Sequence, residues 1–271
     1  MSQPTAPPAR EYDDYNSAPS LVEVGRAVFG EDYRGQKSSV WPADLVAMTR
    51  RAGLDGSGHF LDAGCGSGWA SALLSEQVGC TGEAWDVSAS NVALAQDLFA
   101  PSGRVTARQR DFHDTQGFEH AFGLVLSVGA VYWSDDPMRL ARSWAALLRP
   151  GGAALLFLSQ LVDEGGLPIA LAGTSPTAAA CDWPATFAAA GLEVETSDQT
   201  SRFVLWLDRW TTELDARRDA VERELGSDGW AEFRGRFDAL HRAAADGRLV
   251  RTALIAKAEA EGSSGGGSPR G

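Results

Sequence analysis

The chain has 271 residues, 44% of them hydrophobic, and a formal net charge of −12 at pH 7. That acidity argues against a nucleic-acid partner: a phosphate backbone needs a basic face, and Lys37 and Lys257, the chain's lysines, cannot build one. No apolar run approaches the roughly 20 residues that span a bilayer, and Met1–Arg10 lacks the apolar core of a signal peptide, so a cytoplasmic protein with no membrane partner is expected.

Cys65, Cys80 and Cys181 lack the paired spacing of a metal site and leave an odd thiol for any disulfide scheme. No metal is expected. The length suits one α/β domain with a helical addition, and no repeat or heptad sets an oligomeric surface.

Residues 1–20 carry Pro4, Pro7, Pro8 and Pro19 among small polar residues, and the first ten read as disordered. Tyr12 and Tyr15 would share one face of a helix. From Leu21 to Arg51 the apolar spacing is helical at both ends, around a polar, glycine-bearing stretch with aromatics, Phe29 to Trp41.

Next come Phe60 and Leu61, then Asp62, then glycines at 64, 66 and 68, then helical spacing in Trp69, Leu73, Leu74 and Val78. The order reads as strand, tight turn and helix. Such a turn bares backbone amides at a helix N-terminus, which suits a nucleotide-like ligand. A dinucleotide fingerprint would want a third small residue where the chain has Trp69, and a pyrophosphate would be repelled by Asp62. An acid there can orient a cation instead.

Asp62 to Gly68 resembles motif I of the class I S-adenosylmethionine (SAM)-dependent methyltransferases, D/E-x-G-x-G-x-G. The resemblance covers about Leu45 to Leu158, and among such enzymes the chain resembles the glycine-, sarcosine- and dimethylglycine-type N-methyltransferases and related bacterial small-molecule enzymes. It implies a doubly wound, mostly parallel seven-stranded sheet of Rossmann-like type, with an N-terminal helical lid and a helical insertion before the last strand. The expected division is a disordered or lid segment at 1–20, a methyltransferase domain at 21–260 with its insertion at about 208–247, and a disordered tail at 261–271. The lid would bring Tyr15 over the cofactor, although a tyrosine that merely packs on the domain fits the same pattern. Phe29–Trp41 would line the methionine end of the cofactor, or serve as a plain connection.

Beyond motif I, Gly82–Ser88 reads as the second strand, and Asp86 lies where a βαβ unit puts a ribose-binding carboxylate. Ser88 would cap the helix Ala89–Phe99. A third strand, Val105–Arg110, ends in Asp111 and Phe112. By the resemblance, Asp111 accepts from the adenine amine, while Val87 and Phe112 flank the ring. His113 reads as a surface histidine.

Phe122–Gly129 is nearly continuous in apolar residues, as a strand covered on both faces should be. Ser127 near its end completes the expected cofactor set of Asp62, Gly64, Gly66, Gly68, Asp86, Val87, Asp111, Phe112 and Ser127. The loop that follows would face the transferred methyl group, with Tyr132 and Trp133 beside the sulfonium; core packing is the competing use, above all for Trp133. No N/D-P-P-Y motif stands there, which points to a free small molecule as acceptor. Helix Met138–Leu148 then leads into Leu148-Arg149-Pro150-Gly151-Gly152, similar to the family's post-motif turn, and the strand Ala153–Leu158.

The second half reads as a helical stretch at 176–190 broken at Pro184, a strand within 192–207, helices at 214–225 and 230–245, and a last strand at 249–256. Trp206, Trp210, Trp230, Phe233 and Phe237 would wall an acceptor pocket or form the apolar stripe of a helix pair. The function implied is SAM-dependent methyl transfer to a nitrogen of a small molecule, with Tyr132, Trp133 and Tyr15 at the reacting end. O- or C-methylation and a catalytically silent SAM-binding scaffold stay open.

Overall fold

A computed structural model of the protein describes residues 18–36, 38–165, 169 and 174–260. Tyr15, residues 1–17 of the lid segment and the tail at 261–271 lie outside the described residues. Seven strands form one sheet: β1 (His59–Ala63), β2 (Thr81–Asp86), β3 (Val105–Gln109), β4 (Phe122–Val128), β5 (Leu148–Leu161), β6 (Glu193–Asp198) and β7 (Leu249–Lys257), in the order β3-β2-β1-β4-β5-β7-β6. β7 runs antiparallel to both β5 and β6, and the other pairings are parallel. This is the expected doubly wound sheet.

The order reverses between β1 and β4, so their carboxyl ends open a crevice where an α/β sheet binds its ligand. Helices cover both faces. One face, through Phe60, Leu124, Leu126 and Leu155, packs on α2 (Pro42–Arg51), α3 (Trp69–Gln77) and α4 (Ala89–Phe99), while α1 (Pro19–Phe29) stands apart from this layer. On the other face, Leu61, Val125 and Leu156 pack on α5 (Pro137–Leu147), α6 (Pro176–Ala179) and α7 (Trp183–Ala189). A third cluster joins α1 to α8 (Thr200–Ala216) and α9 (Arg218–Ala245) through Leu21, Val24, Phe203, Trp206 and Phe237.

Three expectations are corrected. The strand expected within 192–207 is present as β6, but the helix expected from Leu214 already opens at Thr200. Phe203 to Leu207 is a continuous apolar run that mimics a buried strand. Yet the buried side chains of α8 are Phe203, Trp206, Leu207, Thr211 and Leu214, a helical stripe, and the Asp198 carboxylate accepts the Thr200 N–H at 2.8 Å. The helical segment before β7 therefore spans 200–245. Its second helix bends at Gly226, whose φ of 78° is non-helical.

The Leu148–Gly152 stretch is the second correction. It is a bulge inside β5 and not a turn before it: Leu148 pairs with Phe122 and Ala153 with Leu124, so Arg149 to Gly152 loop out of register. The third concerns His113, whose ring is tied into two loops, as described below. Among the described residues no helix is long and apolar enough to cross a membrane, and Cys65, Cys80 and Cys181 are free thiols.

Candidate functional site

The turn after β1 is built from three glycines with different tasks. A Cβ on Gly64 would lie 2.2 Å from the Ala130 Cβ, so only glycine lets the loop after β4 close onto the β1 turn. At Gly68 a Cβ would meet the Phe99 ring at 2.5 Å, so that glycine lets α3 start against α4. Around Gly66 a Cβ would meet nothing within 4 Å. The middle of the turn is thus bare backbone facing open space, held between two tight contacts.

Two carboxylates frame it. Asp62 is 2% exposed, and the Ser71 hydroxyl from α3 donates to it at 2.7 Å. Burial, with the negative charge of Asp86 adding to it, raises the Asp62 carboxyl to about 7. Asp86, at the end of β2, accepts the Gly66 N–H at 2.9 Å, the Ser88 N–H at 2.9 Å and the Asn91 amide at 3.3 Å. Ser88 caps α4 as expected, accepting the Asn91 N–H. Val87, next to Asp86, is 63% exposed, unusual for a valine beside a buried strand.

Asp111 accepts the His113 N–H at 2.8 Å, and its carboxylate lies 2.9 Å from His113 Nδ1; the hydrogen bond from that side chain holds Asp111 below the usual carboxylate range. His113 Nε2 lies 3.0 Å from the Ser134 hydroxyl in the loop after β4. The order Asp–His–Ser imitates a nucleophile relay, but Ser134 is fully buried, so the chain is a brace between the β3 and β4 loops. Phe112, half-buried, lies 4.6 Å from the His113 ring, and its carbonyl accepts from Trp144 Nε1.

The loop after β4 separates its aromatics. Tyr132 packs on the α5 face, and its hydroxyl donates to the Ser159 carbonyl at 2.8 Å while accepting the Ser159 N–H. Burial raises its pKa above the ordinary phenol value. Trp133 is 39% exposed and so is not core packing. Ser127 is buried in β4, and its Oγ has no hydrogen-bond partner among the described residues.

Asp62, Gly64, Gly66, Gly68 and Asp86 thus form one connected cluster, Asp111 and Phe112 flank it through the β3 loop, and Tyr132 is drawn toward β5. Sequence reasoning missed Ser71 and read His113 as a surface residue. Ser71 carries no motif signal, although its position nine residues after Asp62, two into α3, could have suggested a return contact. It also missed Arg251, a buried arginine in β7.

A crevice at the β1/β4 reversal, an acid-and-glycine turn with an open middle, and a fixed acid at the end of β2 define a SAM-dependent methyltransferase fold. Residues 60–152 match a family profile described as a methyltransferase domain. A curated relative from Synechococcus sp., described as an uncharacterized protein, is 29% identical over 151 residues, 54% of this chain. The chain spans 35% of that relative's length.

Among solved structures, phosphoethanolamine N-methyltransferase 2 of Haemonchus contortus, with S-adenosyl-L-methionine, aligns at TM-score 0.73 and 15% identity over 94% of this chain and 61% of that one. The cyclopropane synthase MmaA2 of Mycobacterium tuberculosis aligns at 0.72 and 14%, over 94% of this chain and all (100%) of that one. The (4+2)-cyclase SpnF aligns at 0.69 and 22%, over 96% and 100%. At such identities the fold is what is shared.

The residues present suit S-adenosylmethionine, the cofactor that the sequence resemblance implies. SAM has a sulfonium, an α-ammonium and a ribose, and no phosphate; two acids beside bare backbone would attract it and repel a pyrophosphate.

Proposed function

We propose that the chain transfers a methyl group from SAM to a nitrogen of a small molecule. The observation that carries the reading is the Asp86–Gly66 hydrogen bond, which joins the ribose-type acid to the one glycine of the turn with open space above it. In this reading Asp86 takes the ribose, Val87 and Phe112 flank the adenine, Asp111 accepts from its amine, and Asp62 answers the cationic end. Ser127, buried without a hydrogen-bond partner among the described residues, offers its hydroxyl to the ligand.

SAM supplies a methyl on a positively charged sulfur that leaves without acid assistance. What remains for the protein is to hold the acceptor in line, exclude water and let the proton leave; positioning of this kind contributes about 7–11 kcal/mol. The Tyr132 hydroxyl is spent on Ser159 and its pKa is raised, which disfavours it as a general base. An amine that arrives with a free lone pair needs no such base, and this supports nitrogen over oxygen. Exposed Trp133 is left to meet the acceptor or the sulfonium by a cation–π contact of about 0.5–2 kcal/mol.

Calorimetry with S-adenosylhomocysteine and with NADH tests the cofactor, and mass spectrometry for a methyl gain across a panel of amines and phenols tests the reaction. Homocysteine-nucleoside binding with methyl gain on amines supports the proposal. Binding without gain on any acceptor would leave a silent SAM-binding scaffold, and gain on phenols alone would overturn the nitrogen assignment.

A further inference from the structure

Trp133, exposed in the loop after β4, stands between two anchored neighbours. It ends a single 3-10 turn, Val131–Trp133, closed by the Trp133 N–H on the Ala130 carbonyl and the Ser134 N–H on the Val131 carbonyl, each at 3.1 Å. On one side Tyr132 is tied to Ser159 of β5 through its hydroxyl, and its carbonyl accepts the Ser175 N–H at 2.8 Å. Arg251 of β7 donates in turn to the Ser159 hydroxyl at 2.7 Å. On the other side the fully buried Ser134 has its hydroxyl 3.0 Å from His113 Nε2, the one hydrogen bond of that hydroxyl among the described residues.

The two anchors differ in what they reach. The Tyr132 anchor ends inside the sheet, on β5 and β7. The Ser134 anchor ends on Asp111. That carboxylate spends Oδ1 on His113, accepting its backbone N–H at 2.8 Å and lying 2.9 Å from Nδ1, while Oδ2 has no hydrogen-bond partner among the described residues. Arg139 of α5 acts on Asp111 through charge alone. The Asp111 side chain is 58% exposed and that of His113 only 18%. One carboxylate oxygen is engaged by the protein, and the other is within reach of a ligand.

The direction of the protons follows. An ionised carboxylate can only accept, so His113 Nδ1 carries the proton; the neutral ring then accepts at Nε2, and the Ser134 hydroxyl is the donor. The protons run one way, from Ser134 through His113 to Asp111, and the bonds of such a chain polarise one another. A donor arriving at Oδ2 clamps the carboxylate from its other side, and what it changes at Oδ1 is passed through the His113 ring to the residue next to Trp133.

We propose that His113 is a positioning residue that relays occupancy of the adenine position, through Ser134, to the setting of Trp133 on the acceptor side. The inference rests on the methyltransferase reading, in which the adenine amine donates to Asp111. It deepens that reading by a dependence the reading alone does not contain: a nucleoside without the amine binds but leaves Trp133 unset.

Fluorine NMR of the full chain labelled with fluorotryptophan tests the relay, with Trp133→Phe identifying the Trp133 resonance. Adenosine and purine riboside, which lacks the exocyclic amine, are each titrated to saturation, and their binding is read from the ligands' own signals. In wild type, adenosine should shift the Trp133 resonance and bound purine riboside should leave it in place. Ser134→Ala cuts the relay without touching Asp111, so adenosine should still bind while the shift is lost. His113→Ala should lose the shift as well, with weaker adenosine binding; if that variant fails to fold, Ser134→Ala decides. A shift that persists in Ser134→Ala, or that purine riboside produces equally, overturns the proposal. Adenosine bound to wild type without any shift at Trp133 overturns it too, and leaves the methyltransferase reading standing. Adenosine that binds nowhere on wild type shows this in its own signals, and then the methyltransferase reading falls and the relay with it.

Discussion

The Asp86 carboxylate accepts the backbone N–H of Gly66 across 20 residues at 2.9 Å, and the same carboxylate takes the Ser88 N–H at the start of α4. One side chain thereby fixes the turn after β1 to the end of β2, and the proposed ribose contact comes from a group that cannot swing away. Asp86→Asn keeps the size and loses the charge. With hydrogen bonds to a charged group worth about 1.5–3 kcal/mol, S-adenosylhomocysteine affinity should fall about 10- to 100-fold. Calorimetry on the folded variant checks this, and unchanged affinity would remove Asp86 from the site.

Asp62 predicts a pH dependence. Its folded-state carboxyl is raised to about 7, well above the unfolded value, so the fold favours the protonated form. Between those two pH values the folded chain keeps a proton that the unfolded chain has lost, and stability falls as pH rises by up to about 1.4 kcal/mol per unit. Above about pH 7 the contribution is gone. Asp62→Asn lacks the term, so the wild-type advantage over it should shrink from pH 5 to pH 7 and then level off. Urea unfolding of both proteins across that range measures the difference, and a constant difference would show that Asp62 is not perturbed.

How much of this could be read from the chain depended on whether local pattern and tertiary placement agreed. Asp62 to Gly68 and Asp86 were legible because a strand, a turn and an acid at a fixed distance are set by short-range geometry. The extent of α8 was not, because Phe203 to Leu207 satisfies strand and helix templates alike, and only the partners of Trp206 and Leu207 on α1 and α9 decide it. Arg251 carries no motif signal in the sequence. Its partner is Ser159, 92 residues away, which no local pattern records.

The brace at His113 predicts a small loss of stability with a local readout. His113→Ala removes the contacts to Asp111 and Ser134 and leaves the buried Ser134 hydroxyl short of a partner, at a cost of about 1–3 kcal/mol. His113→Gln can keep one of the two bonds and should lose less. Thermal melts rank the three proteins. If the β3 loop carries Asp111 to the adenine, His113→Ala should also weaken adenosine more than it weakens methionine.

Gly64 and Gly66 separate packing from ligand approach. Gly64→Ala puts a methyl group 2.2 Å from the Ala130 Cβ at a backbone φ of +78°, so overlap and left-handed strain add. The expected loss is about 2–5 kcal/mol, from roughly 1–2 for the backbone and 1–3 for overpacking. Ala130→Gly in the same chain should return the overlap share and leave the strain. Gly66→Ala has the strain at φ +55° and no clash, so it should cost about 1–2 kcal/mol of stability. Its larger effect should fall on S-adenosylhomocysteine, because the added methyl group would stand in the open space above the turn. Denaturation and calorimetry on the four proteins test the scheme: a Gly66→Ala variant that binds S-adenosylhomocysteine as tightly as wild type would mean that no ligand lies against that backbone.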